Sequence, residues 1–184
     1  QSQTVTCLEL AGCPIHCKKA VMTTNLSCIV LAAGMGTRMK SSLAKPLHKV
    51  AGRPMVLHTL AAAEKLDPQQ VIVVIGPDMA ALAEVVAPHK TAVQAVPKGT
   101  GDAVRAGLSA CAGLKGDVLV LFGDTPLVSC ETLRKLIERR LAGDNPAVVV
   151  SGMPPPNPTG YGRLVIEGGN LLSIVEEKDA SEGQ

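Results

Sequence analysis

Apolar residues in this chain come as short β-branched runs separated by stretches with helical spacing. Ile29 to Ala33 is an apolar run short enough for one buried strand. Met55 to Leu66 carries apolar residues at helical spacing, and Pro54 suits the first turn of that helix. Val71 to Ile75 is β-branched and reads as a second buried strand. The pattern then predicts a helix over Met79 to Val86, a strand over Thr91 to Val96, a helix over Thr100 to Cys111 and a strand over Asp117 to Phe122. Ser129 reads as the cap of a helix running to about Leu141. Strands alternating with helices of this length imply right-handed crossovers and a mostly parallel α/β sheet with helices on both faces. Farther on, Gly162 to Ile166 and Leu171 to Val175 read as a hairpin turning at Gly168-Gly-Asn170, ended by Glu176-Glu-Lys-Asp179.

Residues 1–21 do not share this periodicity. Lys18 and Lys19 follow the apolar part of the segment, the reverse of a signal peptide. Met22-Thr-Thr-Asn reads as a natural start just before the first strand, so 1–21 is expected to be an extension outside the fold and 22–184 an incomplete domain. Cys13-Pro-Ile-His-Cys17 matches no standard zinc spacing.

Composition narrows the classes. Of the 184 residues, 46% are hydrophobic and only 1% aromatic, so the core must be aliphatic and base-stacking platforms are disfavoured. A net charge of +2 is too small to argue for a nucleic-acid or acidic-membrane partner. No apolar run approaches the ~20 residues of a membrane span. Six scattered cysteines show no framework spacing, which fits a reducing compartment.

In a parallel sheet, ligands bind beyond the carboxyl ends of the strands, and the unusual residues fall there. After the first strand, Gly34 and Gly36 break the chain, followed by the cations Arg38 and Lys45. A glycine turn at a strand end offers a nest of N–H donors for phosphate. The Walker pattern is absent, because Thr37 and Arg38 follow Gly36; the dinucleotide pattern fails at Met39. Taken alone, the pattern is also that of a plain strand-to-loop turn. Pro46 and Pro54 make the following stretch mostly loop, with His48 unassigned and His58 packing or solvated. After the third strand comes Gln94 with Gly99-Thr-Gly-Asp102, where Thr100 can cap the next helix. After the fourth, Asp124 in Phe122-Gly-Asp-Thr-Pro-Leu127 fits one carboxylate of a Mg²⁺ site, or a turn-forming Asp.

These pieces, in this order, resemble a sugar-1-phosphate nucleotidyltransferase. The closer likeness is to the uridyltransferase domain of the bifunctional bacterial enzymes that make UDP-N-acetylglucosamine. The matching residues are Leu31-Ala-Ala-Gly-Met-Gly-Thr-Arg-Met39, Lys45 with Leu47-His48, Val50-Ala-Gly-Arg-Pro-Met55, Gln94 with Gly99-Thr-Gly101, Gly123-Asp-Thr-Pro-Leu127, Pro158-Thr-Gly-Tyr-Gly-Arg163 and Ile174-Val-Glu-Glu-Lys-Asp-Ala180. The resemblance implies a Rossmann-like nucleotidyltransferase fold and specific roles. Leu31, Ala32, Ala33 and Gly34 would form the nucleotide turn; Arg38 and Lys45 would be catalytic cations on the triphosphate. Gln94, Gly99 and Thr100 would contact uracil, Asp124 would bind Mg²⁺, and Gly162 and Glu176 would hold the amino sugar.

The implied reaction converts UTP and N-acetylglucosamine 1-phosphate into UDP-N-acetylglucosamine and pyrophosphate. It would serve peptidoglycan and lipopolysaccharide synthesis in the cytoplasm. The family's pattern usually has Pro before the lysine; here Ala44 precedes Lys45 and Pro46 follows. Further sugar and metal asparagines, and an acetyltransferase β-helix through which the family forms homotrimers, would lie beyond Gln184. The stretch is therefore expected to be a fragment with weak or no activity alone. Two alternatives remain open: another sugar-1-phosphate or molybdopterin nucleotidyltransferase, against which the Gln94 and Gly-Tyr-Gly-Arg motifs argue, and an inactive nucleotide-binding fragment.

Overall fold

A computed structural model describes residues 5–9, 25–36, 39–168, 170–181 and 183. In chain order the strands and helices are β1 (Val5–Glu9), β2 (Leu26–Leu31), β3 (Lys49–Val50), β4 (Arg53–Pro54), α1 (Met55–Glu64), β5 (Gln70–Ile75) and α2 (Ala80–Val85). There follow β6 (Lys90–Val93), α3 (Thr100–Ala110), β7 (Asp117–Phe122), α4 (Cys130–Arg140), β8 (Val148–Gly152), β9 (Arg163–Glu167) and β10 (Asn170–Val175). The chain divides into two compact units, residues 22–130 and residues 1–21 with 131–184. No helix among the described residues is long and apolar enough to cross a membrane.

The first unit is built on a parallel sheet of order β6-β5-β2-β7. β2 is flanked on both sides, Ile29 lying opposite Ile72 of β5 and Val120 of β7. A strand covered on both faces needs an unbroken apolar run, and Leu26, Cys28, Ile29 and Val30 are all buried. Ser27, the polar exception, accepts a hydrogen bond from Gln70 Nε2 at 3.1 Å. Successive side chains serve opposite faces. Ile29, Ile72 and Val74 pack with Ala92 and with Ala103 of α3. On the Ala32 side lies Val56 of α1, both bordering Gly123. Each aliphatic side chain so buried contributes roughly 1.5–3 kcal/mol.

The chain leaves β2, adds β5 and then β6 on one side, and returns to lay β7 on the other. The carboxyl ends of β2 and β7 therefore mark the point where strand order reverses, which is where open α/β sheets form their ligand crevice.

Most predicted elements stand where the periodicity placed them, with ends shifted by a few residues. β6 stops at Val93 instead of Val96; Gln94 N–H still donates to Ile75 O, the last residue of β5, and its side chain reaches the start of α3. Thr100 is the first helical residue, not the cap; Gly99, at φ 103°, holds the cap position. The loop after β2 contains a 3₁₀ turn at Lys45–Leu47 and the two-residue hairpin β3–β4 turning at Ala51 and Gly52.

In the second unit β9 and β10 form the expected antiparallel hairpin, with an irregularity between Leu171 and Ser173. β8 was not anticipated, and β1 pairs with it in parallel from Val5 opposite Val148 to Glu9 opposite Gly152. Val5–Glu9 lies within the segment expected to be an extension. A valine-rich strand has backbone donors and acceptors to satisfy, and a second strand satisfies them. The Cys13–Cys17 stretch is outside the described residues.

Two outcomes follow for the first unit. An added Cβ at Gly107 would meet Ile29 Cγ2 at 2.6 Å and Val74 Cγ2 at 3.1 Å, so α3 sits on the sheet only where that residue has no side chain. Gly107→Val should lower stability by about 1–3 kcal/mol through overpacking; an unshifted urea midpoint would show the contact to be slack. Burial pushes the Cys28 thiol from its ordinary 9.0 up to about 12. The fold therefore keeps a proton that the unfolded chain releases, and this contribution is complete below pH 9 and lost as pH rises toward 12. Native alkylation at pH 8.5 should leave Cys28 unmodified while the partly exposed Cys111 and Cys130 react, as peptide mapping would report.

Candidate active site

The sheet holds the candidate site residues by continuing its hydrogen bonds one step past the strands. Ala32 N–H donates to Val74 O at 2.8 Å, and Gly123 N–H donates to Leu31 O at 2.8 Å. Leu31 and Ala33 are thus held half-buried and Ala32 at 1% exposure, while Gly34 is open. The nucleotide turn expected at Leu31–Gly34 stands at the carboxyl end of the central strand.

Across the reversal point, three hydroxyl and backbone donors fix the end of β7. Thr59 Oγ1 of α1 donates to Phe122 O at 3.3 Å, Thr125 Oγ1 donates to the same oxygen at 2.7 Å, and Thr125 N–H donates there at 3.2 Å. Asp124 lies inside this turn. Its Oδ2 is 2.7 Å from Lys45 Nζ, with the side chains 31% and 41% exposed. At that exposure the ion pair adds little to stability; what it establishes is that a cation and a carboxylate share one place. Lys45 comes from the 3₁₀ turn, and its aliphatic stem crosses Gly36, where an added Cβ would lie 2.6 Å from Lys45 Cβ and 3.1 Å from Cγ. Gly36 has φ +66°. Arg38 is outside the described residues.

Gln94, Gly99 and Thr100 gather at the carboxyl end of β6, two strands or about 10 Å from β2 along the same sheet edge. Gln94 is buried; its Nε2 donates to Gly99 O at 3.2 Å and to Asp102 Oδ2 at 3.0 Å. Asp102 is thus a member of the site that sequence reading named only as part of a motif.

Gly162 and Glu176 belong to the second unit. They flank the Arg163–Val175 pair at the open end of the hairpin, both exposed. The neighbouring Glu177 does the bracing: its Oε2 accepts from Gly160 N–H at 2.8 Å and its Oε1 pairs with Arg163 at 3.5 Å. Arg163 also donates to the carbonyls of Pro158 and Tyr161. Two adjacent glutamates gave no sequence signal for which one would be structural.

The donor set suits a hard cation in one respect. Asp124 offers carboxylate oxygen at a sheet edge, and no group of three or more His, Cys, Asp or Glu occurs among the described residues to form a cage. A single carboxylate holds Mg²⁺ when phosphate oxygens complete the shell.

The Gly36 contact can be tested against its neighbour. Gly36→Ala imposes a strained φ and drives a methyl into the lysine stem, so it should cost about 1–3 kcal/mol of stability. Gly34→Ala meets nothing within 4 Å and should be near neutral. Equal unfolding temperatures for the two variants would contradict this account.

Known proteins resemble this chain in sequence and in fold. The MobA-like NTP transferase domain family matches residues 28–178. The bifunctional protein GlmU of Rhodospirillum rubrum is 50% identical over 161 residues, covering 88% of this chain and 36% of the relative. GlmU of Streptomyces avermitilis is 50% identical over 163 residues, covering 85% and 34%. The chain thus spans about a third of the length of the curated relatives it matches. Among solved structures, HddC from Yersinia pseudotuberculosis superposes at TM-score 0.63, 25% identical, over 82% of this chain and 68% of that one. A nucleotidyl transferase from Methanothermobacter thermautotroptrophicus does so at 0.55, 26% identical, over 62% and 57%. With the match spanning most of the chain, this chain belongs to the MobA-like NTP transferase domain family.

Proposed function

We propose that this chain is the part of a sugar-nucleotide-forming enzyme that joins UTP to N-acetylglucosamine 1-phosphate and releases pyrophosphate. The observation that carries this is the Lys45–Asp124 pair at the strand-order reversal. Its support is the half-identity of the chain to GlmU relatives along nearly all its length.

The chemistry asks little of side-chain acids and bases. A sugar 1-phosphate is already anionic near neutral pH and needs no proton removed before it attacks the α-phosphorus of UTP. The obstacle is repulsion between two phosphates, so catalysis reduces to alignment and charge neutralisation. Lys45 exchanges its carboxylate partner for phosphate oxygens when the triphosphate enters. The Asp124 oxygens are then available to hold Mg²⁺, which when bound supplies further neutralisation of the phosphates. Arg38 follows the glycine turn in sequence and is our assignment for a second cation on the leaving pyrophosphate. The backbone of Leu31–Gly34 lines the nucleotide; Gln94, Gly99 and Thr100 face the base. Gly162 and Glu176 are our assignment for the amino sugar. We place the reaction in the cytoplasm, ahead of envelope polysaccharide assembly.

Pyrophosphate release from UTP and N-acetylglucosamine 1-phosphate tests the reading. In the enzyme carrying this domain, Lys45→Ala should lower turnover by about 100–1000-fold while leaving the unfolding temperature nearly unchanged. Undiminished turnover would remove Lys45 from the reaction and the proposal with it.

A further inference from the structure

Gln94 is only 6% exposed, and a buried amide leaves few of its hydrogen-bonding options open. Its nitrogen side faces two groups that can only accept, the Gly99 carbonyl at 3.2 Å and the Asp102 carboxylate at 3.0 Å. The amide orientation is therefore settled by chemistry: placing Oε1 there would oppose oxygen to oxygen twice. Both Nε2 hydrogens are committed within the protein. What Gln94 has left to offer a ligand is the acceptor Oε1.

We propose that Asp102 is a positioning residue that locks Gln94 as an acceptor-only reader of the nucleotide base, and so selects a base presenting a ring N–H, as uracil does at N3. Cytosine carries a lone pair at that position and would meet Oε1 with repulsion. Asp102 suits the task. It lies in the first turn of α3, where the helix dipole favours a negative side chain, and its charge strengthens the bond it accepts. Without it, Gly99 O would engage one amide hydrogen only. The terminal torsion of a glutamine is broad, so the amide could then turn and present its nitrogen to cytosine. The proposal rests on the reading of this sheet edge as a uridine nucleotide site, and adds to it the residue that enforces base choice.

The test measures dissociation constants for UTP and CTP with Mg²⁺ on the full 184-residue chain by calorimetry. The wild-type chain should favour UTP. Asp102→Ala should cut the ratio of CTP to UTP dissociation constants by about tenfold. Asp102→Asn, which can hand Gln94 an N–H and favour the turned amide, should lower the ratio as well. N3-methyl-UTP should bind the wild-type chain at least about tenfold more weakly than UTP. Unfolding curves without nucleotide establish that each variant folds, and the near-isosteric Asn variant carries the test if the Ala variant does not. A wild-type chain that binds both nucleotides equally overturns the proposal, as does an unchanged ratio in a folded Asp102 variant. A wild-type chain that binds neither nucleotide overturns the uridine-site reading itself, and the base-choice proposal falls with it.

Discussion

Lys45 reaches Asp124 across a backbone that carries no side chain to stop it. The lysine stem runs over Gly36, close enough that a methyl there would overlap it, and the ammonium ends 2.7 Å from the carboxylate. The turn after β2 thus has two physical duties. It exposes backbone donors at a strand end, and it clears a path for a cation that begins nine residues later in the chain. A family of reactions limited by phosphate–phosphate repulsion depends on such placement more than on acid–base strength.

Everything that positions this pair traces to the central strand. β2 is hydrogen-bonded on both sides, buried on both faces, and closed at its carboxyl end by bonds from Ala32 to β5 and from Gly123 to β2. The lysine loop leaves from one side of that closure and the aspartate turn from the other. The close approach of α3 at Gly107 tightens the same strand from below. The Lys45–Asp124 pair therefore stands next to a strand that is hydrogen-bonded on both sides and buried.

The cluster at the carboxyl end of β6 works by a different principle. Buried Gln94 is bonded to Gly99 and to half-buried Asp102, and such polar networks are specific because every donor and acceptor in them must be matched. The cluster begins where β6 ends: Gln94 follows Val93 directly and its side chain joins the start of α3. In the second unit, Glu177 plays the comparable part, tying Gly160 and Arg163 so that Gly162 and Glu176 are displayed at the hairpin's open end.

The alternation of strands and helices from β2 to α4, the closing hairpin, the aliphatic core and the places of Gly34, Gln94, Asp124 and Gly162 along these elements were readable from the residues. They depend on local period, burial and turn chemistry, which act over a few positions. Partnership was not readable. That Lys45 meets Asp124, that Gln94 is held by Asp102, that Glu177 braces while Glu176 is left exposed, and that Val5–Glu9 pairs with Val148–Gly152 are settled only when distant segments are brought together. A side chain's chemistry is written in its own residue, but its partner is whatever the packed backbone sets within about 3 Å, and no spacing along the chain encodes that distance.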